Sequence, residues 1–288
     1  MSKILKLLSI QPYLRFYEIM HYPIPKNAEL FFQYSDIEYA NKLLKLAQEP
    51  ENSFSRDKKS KYIDEYLKEV KRLKSTFQSI PFVEQIFLCN SISFNALDEN
   101  SDIDLFIIAK PWRIRSVKFR SMILFTLKGA KRIWKKSRKK ICLSFFITSD
   151  QQNLYPISLP SLDIYIAYRI AHLVLFYQPS EETNNSFFES NKWVKWILPN
   201  YQEKQSISLW INPFTWNTKF KKIMEASWNW FLWNIFERLV KNLQKAIIRI
   251  KIILKPEQNK DVIVSDSMLK FHQDIREKVS LKYNVKVK

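Results

Sequence analysis

The spacing of apolar and polar positions changes twice along the chain and divides it into three parts. Over residues 1–78 apolar residues recur at helical spacing. Tyr22-Pro-Ile-Pro25 breaks this part, because proline ends a helix and restricts the residue before it. Ser35 and Glu38 form a capping-box pattern ahead of Tyr39, Leu43, Leu44 and Ala47. A second helix, from about Lys58 to Phe77, is predicted from the stripe Tyr62, Tyr66, Val70, Leu73 and Phe77.

Over residues 79–180 the pattern becomes that of a sheet. Phe82–Asn90 and Ile103–Ala109 read as buried strands, a long basic helix is predicted from about Ile114 to Lys136, and Ile141–Ile147 reads as a third strand. Leu162–Tyr177 returns to helical spacing. Strand, strand, helix, strand is the order of an α/β (α+β) core built on one small mixed sheet. The last part, residues 181–288, reads as helical again, with a short helix at Asn191–Leu198 and a long one over about Phe220–Leu254 that stops at Pro256. The chain is therefore expected to be an α/β core flanked by helical N- and C-terminal regions.

Composition narrows the function classes. Apolar residues make up 46% and charged residues 26% of 288 positions, which excludes a largely disordered chain. Two cysteines, Cys89 and Cys142, fall on predicted strands and cannot form a disulfide framework or a structural zinc site. His21, His172 and His272 are scattered and read as structural. No apolar run approaches the ~18 residues of a membrane span, and the opening Met1-Ser-Lys-Ile-Leu-Lys6 lacks a signal-peptide pattern, so a cytoplasmic protein is expected.

The charge balance, 47 Lys and Arg against 28 Asp and Glu, gives +19 and points to phosphate-bearing partners. Residues 110–140 hold thirteen Lys and Arg and no Asp or Glu. On the predicted helix, Ile114, Val117, Met122, Leu124, Leu127 and Ile133 would face the core. Arg115, Lys118, Lys131, Arg132, Lys135, Lys136 and Lys139 would face out, as a surface for RNA or triphosphate. The helix over 220–254 carries Trp228, Trp230, Trp233 and Phe236 among lysines. It reads first as the core stripe of a helical bundle, with a membrane-surface helix or a base-stacking platform as alternatives.

A single glycine, Gly129, stands against nine tryptophans. Turns that need positive φ must therefore draw on Asn, and Trp112 stands where a turn glycine is natural. This supports a side reading in which some Trp positions are glycines encoded by a reassigned codon.

The stretch with chemistry is Cys89–Ile108. Side chains two apart on a strand share a face, so Asp102 and Asp104 aim together while Ile103 and Leu105 bury on the other side. Two adjacent carboxylates suit a hard cation such as Mg²⁺ or Mn²⁺. The turn at Asn90-Ser91 offers a hydroxyl and backbone N–H groups to a phosphate.

At these residues the chain resembles the DNA polymerase β-type nucleotidyltransferase superfamily, whose signature is a strand, Gly-Ser, and an Asp-x-Asp pair opening the next strand. Ser91 matches the signature serine and Asp102 and Asp104 the metal-binding aspartates. The wider layout is similar to bacterial nucleotidyltransferase-domain proteins of unassigned substrate, through Ser79–Val83, Cys142–Phe146, Trp193–Asn200 and Ser265–His272. The resemblance implies Mg²⁺-dependent transfer of a nucleoside monophosphate from NTP to a hydroxyl. RNA is slightly favoured as acceptor over a small molecule or protein. In that reading Asp102 and Asp104 hold the metal, Asn90 and Ser91 hold phosphate, and Lys110 and Arg113 offset developing charge.

Two departures stand out. Asn90 replaces the signature glycine, and the family's third carboxylate has no match on Ile141–Ile147, whose inward residues are Cys142 and Ser144. Asp150, just past that strand, is the substitute expected from the sequence, with Asp163 behind it. The alternative is a catalytically inactive nucleotidyltransferase fold that binds nucleotide or nucleic acid.

Overall fold

The computed structural model describes residues 62–132, 138–159, 163–178, 186–198 and 262–271, with Phe16, Met20, Tyr22 and separate positions within 221–253. The elements are α1 (Ile63–Arg72), α2 (Lys74–Ser79), β1 (Val83–Cys89), β2 (Ile103–Ala109), α3 (Ile114–Leu127), β3 (Ile141–Thr148), α4 (Ile164–Ala171), β4 (Val174–Tyr177), α5 (Ser186–Ser190), α6 (Val194–Ile197), β5 (Ile263–Val264) and β6 (Met268–Lys270). They form an α/β fold on one six-stranded mixed sheet of order β4-β1-β2-β3-β6-β5. β1 and β2 are antiparallel, while β2 and β3 are parallel and joined through α3.

Alternation along the central strands separates two apolar layers. Leu105, Ile107 and Ala109 of β2 pack with Ile86 and Leu88 of β1 against Tyr66, Val70, Leu73 and Phe77 of the N-terminal helical stretch and Ile114, Val117 and Phe125 of α3. Phe106 and Ile108 point the other way, with Phe87 and Cys89, into a layer built from α4, Phe187, Phe188 and Trp193. Each fully buried Leu, Ile or Phe side chain contributes about 1.5–3 kcal/mol, so both faces of β2 are fixed and its register cannot slip without exposing one of them.

Four expectations are corrected. The predicted helix over 58–77 is divided at Leu73; Tyr66, Val70, Leu73 and Phe77 of its stripe are buried as expected, while Tyr62 is half-buried. The helix over 114–136 ends at Leu127: Gly129, at φ +60, donates to Thr126 O at 2.9 Å while Ala130 N donates to Phe125 O at 2.8 Å. These are the paired bonds of a glycine-terminated helix, and they satisfy carbonyls the helix leaves open.

The third correction is residues 174–177, which form β4 beside β1 rather than a helix. The fourth lies in the C-terminal third, which supplies the hairpin β5–β6, with β6 pairing antiparallel to β3. The capping box at Ser35, residues 133–137 and the aromatic stripe Trp228–Phe236, apart from exposed Ile235, lie outside the described residues. Described residues 237–244 are helical as expected. Among the described residues no helix is long and apolar enough to cross a membrane.

The scarcity of glycine leaves its mark on the turns. Asn90 and Asn95 take φ of 57° and 55°, as expected for Asn. Phe82, Trp112 and Lys139 also adopt positive φ, at 64°, 64° and 57°. Trp112 does so while 72% exposed, the conformation and setting of a turn glycine.

Candidate functional site

The acidic pair stands at the start of β2, held by the strand register. Asp104 pairs with Cys89 of β1 on one side and with Cys142 of β3 on the other. Asp102 lies two residues earlier on the same face, while Ile103 is fully buried beneath. A ligand atom from each of Asp102, Asp104 and Cys142 lies within 4.8 Å of the others. The loop before the pair is anchored by the Tyr66 hydroxyl, 2.8 Å from the Ser101 carbonyl and 2.9 Å from that of Asp98.

At the end of β1 the chain turns through a 3₁₀ turn over Asn90–Ile92. Positive φ at Asn90 brings its side chain back over β2, where Nδ2 donates to Asp104 Oδ2 at 2.8 Å. A glycine would leave that space to a ligand; here an amide fills it. Ser91 sits on the same turn, its hydroxyl hydrogen-bonded to the Tyr22 phenol.

Two arginines complete the cluster; the sequence pattern places Arg132 on an outward basic face, away from the acidic pair, and does not single out Arg169. Arg132, just past the α3 terminus, donates to Asp102 Oδ2 and lies 3.9 Å from Cys142 Sγ. Arg169 of α4 donates through Nη1 to the Tyr165 hydroxyl at 2.6 Å and through Nη2 to Asn90 Oδ1. A chain of contacts therefore runs Arg169–Asn90–Asp104, beside Arg132–Asp102.

The protonation states follow from these neighbours. Burial lifts Asp102 above the usual carboxylate range, and Asp104 adds to the effect while Arg132 opposes it. Burial alone would lower Arg169, but Tyr165, Cys89, Tyr22 and Asp104 together hold it above the ordinary arginine value. Burial, aided by the two carboxylates, pushes the Cys142 thiol far up, so it stays protonated at neutral pH.

The other expected site residues do not join this cluster. Asp150 lies past the far end of β3, and the seven residues from Cys142 to Thr148 alone span about 20 Å. Its carboxylate cannot act as a third ligand. Asp163 is also removed from the role: it caps α4, accepting from Ile166 N at 3.0 Å and Leu159 N at 2.9 Å. Lys110 and Arg113 follow the C-terminal end of β2, five or more residues of strand from Asp104, about 17 Å, so they cannot offset charge at the pair. Lys110 instead meets Glu225 at 3.1 Å, and the Arg113 guanidinium lies 5.4 Å from the Phe82 ring centroid.

Several described residues of the basic stretch are likewise paired within the fold. Arg115 is 1% exposed and meets Asp266 at 3.4 Å, where the sequence placed it facing out. Arg138 pairs with Glu99 at 3.0 Å and Glu65 at 3.3 Å, Lys139 also pairs with Glu65, and the Lys118 ammonium lies over the Phe271 ring. Leu127, expected in the core, is 78% exposed. His172 behaves as the structural histidine expected, stacked on Phe94 at 4.1 Å with Nδ1 3.0 Å from the Tyr168 carbonyl.

Comparison of this chain with protein-family models, with curated proteins and with solved structures finds no match.

Proposed function

We propose that this chain is a nucleotidyltransferase-type fold that binds a nucleoside triphosphate and does not transfer from it. The observation that carries the reading is the register Asp104–Cys142, which puts a protonated thiol where the active members of the resembled family place a third carboxylate. Asp102 and Asp104 fit one hard divalent ion, Mg²⁺ or Mn²⁺, whose remaining ligands would be phosphate oxygens. The donor set does not fit a pair of ions, because a thiol is a poor ligand for either and the nearby Asp102 is engaged by Arg132.

The residues present then divide the work of binding. Asp102 and Asp104 would hold the ion, which neutralises triphosphate charge. Ser91 would turn its hydroxyl from the Tyr22 phenol to a phosphate oxygen, and Arg132 and Arg169 keep the two-carboxylate cluster close to neutral overall. Nucleotide is favoured over RNA because Lys110, Arg115, Arg132, Arg138 and Lys139 of the basic stretch are paired with acidic groups of the same chain, which weakens that stretch as a face for a nucleic-acid backbone.

The test is calorimetric titration with ATP in Mg²⁺ and in EDTA, together with transfer of label from α-³²P-NTPs to RNA, small hydroxyl compounds and the protein itself. Expected are saturable binding that needs Mg²⁺ and is lost in Asp104→Asn, and no transferred label. Label transfer abolished by Asp104→Asn would replace the reading with that of an enzyme. No Mg²⁺-dependent binding would end it.

A further inference from the structure

The opposite end of the sheet carries a different arrangement. Where β2 leads into α3, a cavity of about 450 Å³ opens between the start of α3, the described helical residues around 237–241, and Asp266 of the β5–β6 turn. Its size is in the range of small-molecule sites, about 300–1,000 Å³. Four cations line it, Arg113, Arg115, Arg238 and Lys241, against two carboxylates, Glu237 and Asp266.

Both carboxylates are already committed. Glu237 accepts from the backbone N–H groups of Arg115 and Ser116 at 3.0 and 3.1 Å and from the Ser116 hydroxyl. It thereby supplies the anion that the α3 N-terminus calls for, since that helix has no acidic residue in its first turn and no side-chain cap. Asp266 accepts from Lys241 Nζ at 2.6 Å and from Arg115 Nη2 at 3.4 Å. The wall keeps a net positive charge after both are counted.

Arg115 supplies the second, independent sign. Its side chain is almost completely buried, it lines this cavity, and its Nη1 has no hydrogen-bond partner. A buried guanidinium nitrogen left without an acceptor is costly, and Arg115 bears that cost while it lines this cavity. Planar guanidinium groups match phosphate oxygens in pairs, which an ammonium does not.

We propose that this cavity is a second phosphate-binding site, one that takes a phosphorylated small molecule of nucleotide size through Arg113, Arg115 and Arg238. It lies about 17 Å along β2 from the acidic pair and needs no metal. It goes beyond the nucleotide site proposed above and does not rest on it.

The experiment is isothermal titration of the full chain in EDTA, which silences the metal-dependent site, with inorganic phosphate, 5′-AMP, adenosine and a short single-stranded RNA. Phosphate and 5′-AMP are expected to bind and adenosine not to. Affinity is expected to fall about tenfold or more in Arg113→Gln and in Arg238→Gln, and to hold in Lys128→Gln, which removes an exposed charge from the other end of α3. Arg238 is exposed, so its variant tests the site without disturbing the core. No binding of 5′-AMP, equal binding of adenosine, binding unchanged in both arginine variants, or RNA binding that exceeds 5′-AMP and survives those variants would each overturn the proposal.

Discussion

Arg169 is the residue whose removal most directly tests how the acidic cluster is held. Arg169→Met keeps the length and apolar stem of the side chain but leaves Asn90 Oδ1 and the Tyr165 hydroxyl without their cationic donor. It also removes a positive charge facing Asp104, which is 6% exposed. Arg169 makes two hydrogen bonds from a charged donor, each worth about 1.5–3 kcal/mol, so a loss of about 3 kcal/mol is expected. At ~2–4 °C per kcal/mol for a domain of this size, Tm falls by about 6–12 °C. Urea unfolding of wild type, Arg169→Met, Asp104→Asn and the double variant closes the thermodynamic cycle. The double variant is expected to be more stable than the sum of the singles by about 1–3 kcal/mol, because neutralising Asp104 removes the charge that Arg169 balances. A loss below about 1 kcal/mol in Arg169→Met, or simple additivity, would refute the idea that Arg169 acts on Asp104 through Asn90.

Two further outcomes are expected. Lys221 is buried against Val83 O at 2.9 Å and the Tyr177 hydroxyl at 3.2 Å, and burial pulls it down to about 8 from 10.5. The folded state loses that proton before the unfolded state does, so stability should rise as pH increases from about 8 to 10.5. Measured against Lys221→Met over that window the gain is up to about 3 kcal/mol, and a flat difference would refute the assignment. Trp112→Gly should stabilise the protein by about 1 kcal/mol, since a positive φ is costly for a side chain and free for glycine, with part of the gain offset by the freer unfolded chain. If position 112 is glycine by a reassigned codon, intact mass of natively expressed protein will fall short of the sequence mass by the Trp–Gly difference.

The central strands were legible because each is a continuous apolar run bounded by polar turns, and Ile103–Ala109 agrees to the residue. The shared face of Asp102 and Asp104 was legible for the same reason, since alternation is a local property. Val174–Tyr177 was not, because it follows α4 after only two residues and a short apolar run has no period of its own. The Ser265-Asp-Ser267 turn between β5 and β6 carried a readable hairpin signal, masked by strands of only two and three residues. Gly129 marked the true end of α3, but the lysines that follow kept the helical pattern going beyond it. Arg169 was out of reach altogether, and Arg132 was legible only as part of an outward basic face: they meet their partners across 79 and 30 positions of chain, and nothing local to either arginine announces that encounter.

The same long-range pairing changes what the charge surplus means. Read along the chain, residues 110–140 contain only positive charge, which argues for an open electrostatic face. In the fold, acids from Glu65, Glu99, Asp102, Glu225, Glu237 and Asp266 come to that stretch from five separate regions of the sequence. Exposed pairs of this kind add little stability, about 0–1 kcal/mol each, but they flatten the potential that would steer a polyanion. Positive charge also lines a concave place, the cavity around Arg115. A confined cation with an unmet hydrogen bond selects a ligand by the fit of single phosphate groups, whereas a broad basic face selects by total charge. That distinction is why discrete nucleotide-sized ligands, rather than a nucleic-acid backbone, follow from this arrangement.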